Sequence, residues 1–274
     1  MAKITAAEVN KLRKMTGAGM MDCKKALIEA DGDFDLAKDN LRKKGQKIAD
    51  KRADKEANEG VVLAKTTDDK SYGAIVQFSC ETDFVANGDD VVNFVKSLVD
   101  YAVANKVTSK EDLLAAKMGD LTVQETVTDL MGKIGEKLEV RGFDLINAEA
   151  VYAYNHNGSK LASLIGMNKA NDEVGHQMAM QTAAMNPIAV TKDGIPQEVL
   201  DKEKEIGMEV ARQEGKPENM LEKIAMGKMG KFIKENTLYG QAFVRDSKKN
   251  VEQYLKETDK DLQVTELKRF VLGA

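Results

Sequence analysis

Histidine and cysteine, which often serve as catalytic bases and nucleophiles, are sparse in this chain and stand in no recognised catalytic motif. The 274 residues include two histidines and two cysteines. His156 stands in a predicted turn and His176 near the start of an amphipathic helix, so both positions have structural explanations. No Cys-x-x-Cys, His-Glu-x-x-His or Gly-x-Ser-x-Gly motif is present. We therefore predict that the chain is not an enzyme and has no catalytic residues, resident metal or cofactor.

Cys80 could be considered as a nucleophile, but Glu81 beside it argues against that chemistry. A neighbouring carboxylate disfavours the thiolate, because two negative charges repel each other. We expect Cys80 to be a small buried residue that ends a strand. The segment TGAGMMDCKK contains glycines, but it follows a helix and lacks a Gly-Lys-Ser/Thr ending, so nucleotide binding is not expected there.

The segment CETDFVANGDD, residues 80–90, places Phe84 and Val85 in the connection between an apolar strand and a helix. Such connections run over the surface and are normally polar. Two roles are therefore open for this apolar pair. It plugs the core locally, or the protein presents it to a partner.

The elements that must position these residues begin with three predicted short helices in residues 1–44. Thr5 and Glu8 have the spacing of a capping box, and Asp33 can cap the third helix. Met20 and Met21 are adjacent at a helix start, so at least one of them is expected at the surface, where flexible methionine suits protein binding. A core built by so few residues is small, which is typical of a docking module.

Residues 45–59 are predicted to form a charged linker after this module. The basic stretch 42–55 could contact RNA, but no aromatic residue is interleaved to stack on bases. A solvated helix or linker is therefore favoured over a nucleic-acid contact.

The rest of the chain is predicted to form a two-part core, residues 60–140 and 141–274. Residues 60–105 and 149–186 repeat the order strand, turn, strand, loop, helix. In the first copy, alternate residues are expected to share one strand face: Tyr72, Ala74, Val76, Phe78 and Cys80. The second copy closes with the polar loop GMNKAND. An apolar pair is thus not needed to close such a unit, which weakens the plug role.

Residues 195–236 are predicted to form an antiparallel coiled-coil hairpin inserted into the second part of the core. Thin apolar seams at helical spacing carry this prediction: Val199, Ile206 and Val210 in one helix, and Leu221, Ala225, Met229 and Phe232 in the other. The overall prediction is an α+β fold, with an N-terminal three-helix module, antiparallel sheets in repeated hairpin-plus-helix units and this inserted hairpin.

Composition narrows the class of protein further. Apolar residues make up 42% of the chain and charged residues 31%, with a formal net charge of −4. These values favour a globular protein without a general preference for nucleic acid or membrane. We find no run of about 18 apolar residues, the length that a membrane span needs. The few cysteines fit a reducing cytoplasm, where we expect the protein to reside.

Two motifs, TGAGMMDCKKAL at residues 16–27 and CETDFVAN at residues 80–87, resemble bacterial elongation factor Ts. The resemblance extends over nearly the whole chain and implies a guanine-nucleotide exchange factor for elongation factor Tu. The expected partner is elongation factor Tu, both GDP-bound and nucleotide-free, with no membrane and no direct nucleic-acid contact. The N-terminal module would then resemble the ubiquitin-associated three-helix fold.

The resemblance also implies roles for single residues. Thr82, Asp83, Phe84 and Val85 match the exchange loop of the family. Phe84 would wedge beside the magnesium site of the partner, Asp83 would help to disrupt the local network, and GDP would leave.

Partner contacts are implied at four further positions. Leu12, Met20 and Met21 would make apolar contacts with the GTP-binding domain of the partner. Gln181 stands where many family members carry a histidine that contacts the partner. Glutamine can form hydrogen bonds there but cannot take a charge.

Two other functions remain open from the sequence. The chain could be an adaptor whose ubiquitin-associated-like module binds some other partner, with the core as a passive platform. It could also be an RNA-binding translation accessory that uses residues 42–55.

Overall fold

The computed structural model describes residues 4–273 of the chain. Helices occur together with antiparallel strand pairs, so the predicted α+β class is confirmed. The chain divides into two compact units. One holds residues 4–63, Val76–Asp144 and 271–273, and the other holds Ala64–Ile75 and Leu145–Phe270. The finer boundaries suggested by the sequence, at residues 44, 59 and 140, stay a prediction.

Three helices open the first unit: α1 (Ala6–Thr16), α2 (Met20–Glu29) and α3 (Phe34–Arg52). Thr5 and Glu8 form the predicted capping box, and Gly17 ends α1 in the left-handed conformation that glycine tolerates best. Asp33 caps α3 by accepting two backbone hydrogen bonds. The inward side chains form a small core: Val9, Leu12, Cys23, Ala26, Leu27, Ala30 and Ala37.

A three-stranded sheet follows, in the order β1-β2-β5: β1 (Glu59–Thr66), β2 (Tyr72–Cys80) and β5 (Leu138–Asn147). Residues 64–75 and 145–147 of these strands belong to the second unit. The alternating residues of β2 are buried as predicted. Gly73, Ile75 and Ser79 on the other face are buried too, so β2 is covered on both faces and not on one.

Between β2 and β5 the chain forms helices and two very short strands: α4 (Asp83–Ala86), α5 (Asp89–Ala104), α6 (Lys110–Ala115), β3 (Lys117–Met118), β4 (Leu121–Thr122) and α7 (Val123–Ile134). Helix α5 turns one apolar side inward: Val91, Val95, Leu98, Val99, Ala102 and Val103 are buried. This spacing is that of an amphipathic helix, and the helix follows the two strands in the order predicted from the sequence.

Helix α3 is longer than the sequence suggested, and the predicted linker at 45–59 is helical as far as Arg52. This second half of α3 packs against α7. Gly45 is buried at the crossing, where a Cβ would lie only 2.7 Å from the carbonyl oxygen of Thr128. Helices that meet at glycine need no large apolar side chain, which is why a polar composition concealed the contact. The N-terminal helices are therefore joined to the rest of this unit by a packed helix.

The second unit is built around a sheet in the order β10-β7-β6. Its elements are β6 (Ala150–Asn155), β7 (Leu161–Met167), α8 (Asp172–Met185), α9 (Gln197–Gln213), α10 (Glu218–Asn236), β8 (Ala242–Phe243), β9 (Asp246–Asn250), α11 (Val251–Thr258) and β10 (Val264–Val271). Strands β6 and β7 are antiparallel, and α8 packs on both. Met178 of α8 and Leu255 of α11 belong to the apolar core beside this sheet.

The repeat predicted from the sequence is present, because β1, β2 and α5 follow the same order as β6, β7 and α8. The connections differ. Residues 168–171 lead directly from β7 into α8, whereas residues 81–88 between β2 and α5 include the one-turn helix α4. The apolar pair therefore lies in an additional structural feature of the first copy.

Helices α9 and α10 pack against each other as the predicted antiparallel hairpin. The seam predicted on α9 was wrong by one position: its buried residues are Leu200, Gly207 and Ala211, while Ile206 and Val210 are exposed. A Cβ on Gly207 would lie 3.2 Å from the Cα of Ala225. The helices approach through small residues here, so the larger apolar side chains flank the contact.

Candidate protein-binding site

The connection at residues 81–88 is held in a defined turn. Helix α4 follows Thr82, whose Oγ1 accepts a hydrogen bond from the Val85 amide at 3.4 Å. The Ala86 amide donates to the carbonyl oxygen of Thr82 at 3.1 Å, and the Ala86 side chain is buried. Thr82 therefore sets the geometry of the turn that carries the next three residues.

Phe84 is the most exposed large apolar side chain in residues 4–273, with 87% of its surface accessible. Asp83 beside it is exposed as well, and Val85 is half-buried. Burial of a phenylalanine normally contributes about 1.5–3 kcal/mol, so this side chain forgoes a large stabilisation. The exposure of Phe84 is incompatible with a plug in the core and is typical of a contact surface.

Two glutamates hold the start of this connection. The carboxylate of Glu136 accepts hydrogen bonds from Thr82, at 3.1 Å from the amide nitrogen and 2.8 Å from Oγ1. The carboxylate of Glu81 accepts from the Lys137 amide at 2.6 Å. Glu136 therefore binds Thr82, and Glu81 binds Lys137. These reciprocal hydrogen bonds fix residues 81–82 against residues 136–137.

Arg52, the last residue of α3, adds a third anchor. Its Nη1 lies 2.8 Å and 2.7 Å from the two carboxylate oxygens of Glu81. Burial alone would raise the pKa of Glu81, but the Lys137 amide and the Arg52 guanidinium outweigh it and hold the pKa below its ordinary value. Helix α3, the third of the N-terminal helices, therefore ends at the base of the turn that carries Phe84.

Cys80 has the environment of a structural residue. Burial raises the pKa of its thiol to about 12, and the negative charge of Glu136 acts in the same direction. Its Sγ donates to the carbonyl oxygen of Thr82 at 3.1 Å. The predicted buried position at the end of a strand is confirmed, and the thiolate needed for nucleophilic attack is strongly disfavoured.

The residues predicted to contact a partner from the N-terminal helices fall into two groups. Met20 and Met21 begin α2 and are exposed, with 52% and 72% of their surfaces accessible. Leu12 is fully buried in the three-helix core, so its predicted surface contact is not supported. The helical spacing of this apolar residue places it on the side of α1 that packs against the neighbouring helices. Met15 of α1, which was not among the predicted contacts, is exposed instead.

Gln181 is fully buried in α8, which also does not support its predicted partner contact. Its Nε2 donates to the Ala242 carbonyl oxygen at 3.1 Å, and its Oε1 accepts from the Val244 amide at 2.9 Å. Nε2 also lies 3.3 Å from Oε1 of Gln241. The side chain satisfies the backbone of β8 and its flank, so its role in this structure is internal.

The roles of Glu136 and Arg52 were not predicted from the sequence, although both residues hold the candidate site. Glu136 lies 54 residues after Thr82, and Arg52 lies 29 residues before Glu81. No local spacing links residues so far apart. The available signal was indirect: the unexpected apolar turn needs support from elsewhere, and charged residues near strand and helix ends can provide it.

The arrangement can present a fixed tip made of Asp83 and Phe84. Within residues 4–273, no group of three or more His, Cys, Asp or Glu side chains is placed to hold a metal ion. In the same part of the chain, no helix has the length and apolar character of a membrane span. The exposed Phe84 is the feature of this tip that is typical of a contact surface.

Comparison with known proteins places the chain among translation factors. The family model described as Elongation factor TS matches residues 81–274. The chain is 49% identical to Elongation factor Ts of Christiangramia forsetii and 47% identical to that of Flavobacterium psychrophilum, in both cases over the full length of both proteins. It is 40% identical to the protein of the same name from Bacteroides fragilis, with 99% of each chain covered. The chain therefore belongs to the elongation factor Ts family.

Proposed function

We propose that this protein is a guanine-nucleotide exchange factor for elongation factor Tu that works by binding and not by covalent chemistry. Membership of the elongation factor Ts family supports this function. The observation that supports it within this chain is Phe84, 87% exposed on an anchored helical turn. An exposed phenylalanine on a fixed support is suited to enter the surface of a partner protein.

In the proposed mechanism, the Asp83–Phe84 tip acts on a magnesium site that belongs to the partner. Phe84 wedges among side chains beside that site, and the Asp83 carboxylate disturbs the local hydrogen bonds and charges. The phosphate loop of the partner rearranges, Mg²⁺ loses its place and GDP leaves. Met20 and Met21 add apolar contacts from the N-terminal helices, since both are exposed.

The energetics follow from reciprocal coupling. An exchange factor that binds nucleotide-free partner more tightly than GDP-bound partner must weaken GDP by the same factor. Each tenfold weakening corresponds to about 1.4 kcal/mol of differential binding. Desolvation of one phenylalanine supplies about 1.5–3 kcal/mol, so the tip can account for one or two such steps.

The test is the rate of GDP release from elongation factor Tu. Phe84→Ala and the double variant with Asp83→Ala should lower the rate while the proteins remain folded by circular dichroism. Met226→Ala is a matched control, because Met226 is an exposed apolar residue on α10, away from the tip in the chain. Wild-type release rates with the double variant would reject the proposed mechanism. Failure of the wild-type protein to accelerate GDP release would reject the proposed function.

The adaptor alternative has less support. It requires N-terminal helices that act on their own, whereas the second half of α3 packs against α7 through Gly45. The adaptor alternative predicts that residues 1–55 alone retain the binding activity of the whole chain.

The RNA-binding alternative also has less support. Arg42 and Lys44 form ion pairs with Asp129 and Asp22, and Arg52 is paired with Glu81. The basic stretch is thus partly neutralised within its own unit. A steep fall of any RNA affinity with rising salt would be the signature of phosphate contacts.

A further inference from the structure

We infer that Glu136 is a positioning residue for the Asp83–Phe84 tip. This inference rests on the proposed exchange function, because it assigns to Glu136 the task of holding the tip in the shape that the partner meets. The hydrogen bonds of Glu136 go to Thr82 and not to the exposed side chains. Glu136 acts through Thr82, whose amide and hydroxyl groups both donate to its carboxylate.

The first step of the argument concerns the Thr82 hydroxyl group. This hydroxyl has one proton to donate and two lone pairs to accept with. Donation of the proton to Glu136, at 2.8 Å, directs the lone pairs of Oγ1 away from Glu136. One of them receives the Val85 amide, the contact that caps α4. Without Glu136 the hydroxyl is free to rotate, and the cap at 3.4 Å is weakened.

The second step concerns the stability of α4. A single helical turn does not form by itself in water, because nucleation costs more entropy than its few hydrogen bonds return. Of the four residues in α4, Ala86 alone is buried. Packing therefore provides little support. The hydrogen bonds from Thr82 to Glu136 act together with the Thr82 cap and the bond from the Cys80 thiol to hold the turn.

The third step concerns the rigidity of Glu136. It follows Gly135, which ends α7 in the left-handed conformation with φ of 84°, and it precedes β5, which begins at Leu138. The Lys137 amide is tied to Glu81. Glu136 is thus held between two regular elements and is itself only half-exposed. A carboxylate fixed in this way can hold the turn in a constant position relative to α7 and β5.

The test compares Glu136→Ala with Glu125→Ala. Glu125 is a matched control, because its carboxylate also accepts from the amide and hydroxyl of a threonine, Thr122, at 2.8 Å and 3.1 Å, but at the start of α7. We expect Glu136→Ala to lower the maximal rate of GDP release from elongation factor Tu about tenfold, as fits the loss of a charge-assisted hydrogen bond. Glu125→Ala should leave that rate unchanged.

Two further readouts separate positioning from general destabilisation. Glu136→Ala should accelerate hydrogen exchange of the Val85, Ala86 and Asn87 amides, measured on the free protein, while exchange in α5 stays as in the wild type. In a background that carries both Asp83→Ala and Phe84→Ala, Glu136→Ala should have almost no further effect on GDP release, because both side chains that it positions are already absent.

Each outcome decides one point. Wild-type release rates and unchanged exchange at residues 85–87 in Glu136→Ala would overturn the inference. A further loss of GDP release when Glu136→Ala is added to the Asp83→Ala, Phe84→Ala background would also overturn it. If Glu136→Ala does not fold, Glu136→Asp takes its place: it keeps the charge but withdraws the oxygens by one carbon–carbon bond, so it should still accelerate exchange at the turn. Wild-type protection in that variant would also overturn the inference. A wild-type protein without exchange activity would reject the proposed function, while the hydrogen-exchange result would still decide whether Glu136 holds the turn.

Discussion

Gly45 of α3 and Gly132 of α7 face each other where the two helices cross. A Cβ on Gly132 would lie 3.0 Å from the Cα of Gly45, and a Cβ on Gly45 would lie 2.7 Å from the carbonyl oxygen of Thr128. Backbone atoms cannot be displaced as easily as the end of a flexible side chain. The pair of glycines therefore sets how closely α3 approaches α7, and with it the path that leads to Arg52 and the Phe84 turn.

Gly45→Ala should force the two helices apart. We expect the free energy of unfolding to fall by about 1–3 kcal/mol, the usual cost of overpacking. The measurement is urea denaturation followed by circular dichroism. Gly227→Ala is the control, because Gly227 lies in α10 with no atom near its missing Cβ, and alanine there should add about 1 kcal/mol through helix propensity. Equal effects of the two substitutions would contradict a close approach at Gly45.

Phe84→Ala should leave stability almost unchanged. Phe84 is 87% exposed, so truncation should change the free energy of unfolding by about 0.5 kcal/mol or less. Phe78 provides the comparison, because it is fully buried and packs edge-on against Phe94 with ring centroids 5.6 Å apart. Phe78→Ala should cost about 3–5 kcal/mol. A large loss of stability in Phe84→Ala would restore the plug role for this residue.

Stability should depend on pH through Glu81. The pKa of this carboxyl is lower in the folded protein than its ordinary value of 4.5, because the Lys137 amide and Arg52 favour the charged form and outweigh burial. The unfolded chain therefore binds the proton more readily. The contribution of Glu81 is fully present above the unfolded pKa and is lost as the pH falls through the lower folded pKa.

Urea denaturation at a series of acidic pH values measures this dependence. Glu81→Gln should lower stability at neutral pH and reduce the fall in stability at pH values below about 4.5, the ordinary value for this group. Glu125→Gln serves as a second variant. The pKa of Glu125 is also lowered, but by hydrogen bonds from Thr122 at the start of α7. If the difference in stability between the wild type and Glu81→Gln is the same at every pH, Glu81 is excluded as a source of the pH dependence.

Gln181→Ala should destabilise the second unit. Loss of the side chain leaves the Val244 amide and the Ala242 carbonyl oxygen without their partner, which should cost about 1–3 kcal/mol. Thermal unfolding monitored by circular dichroism is the measurement. The control is Gln197→Ala, because Gln197 is exposed and bonds to Asp201 within its own helix. Wild-type stability of Gln181→Ala would speak against the internal role assigned to this glutamine.

Local features of this fold could be predicted from the sequence because both partners of each contact lie close together along the chain. The Thr5–Glu8 capping box and the Asp33 cap are within four residues of their partners. The order of strands and helices in the repeat follows from short apolar patterns of the same kind. The comparison of the two connecting loops also indicated that Phe84 is presented and not buried.

The tertiary structure decided which residues meet across long separations. Thr82 and Glu136 are 54 positions apart, and the contact of Gly45 with Gly132 depends on how two helices cross. Packing inside each unit decides that Leu12 and Gln181 are buried. Leu12 lies in the core of the three N-terminal helices, and Gln181 bonds to the backbone of β8 and its flank. Spacing along the chain specifies which side of a helix a residue occupies. The neighbouring elements alone determine what that side contacts.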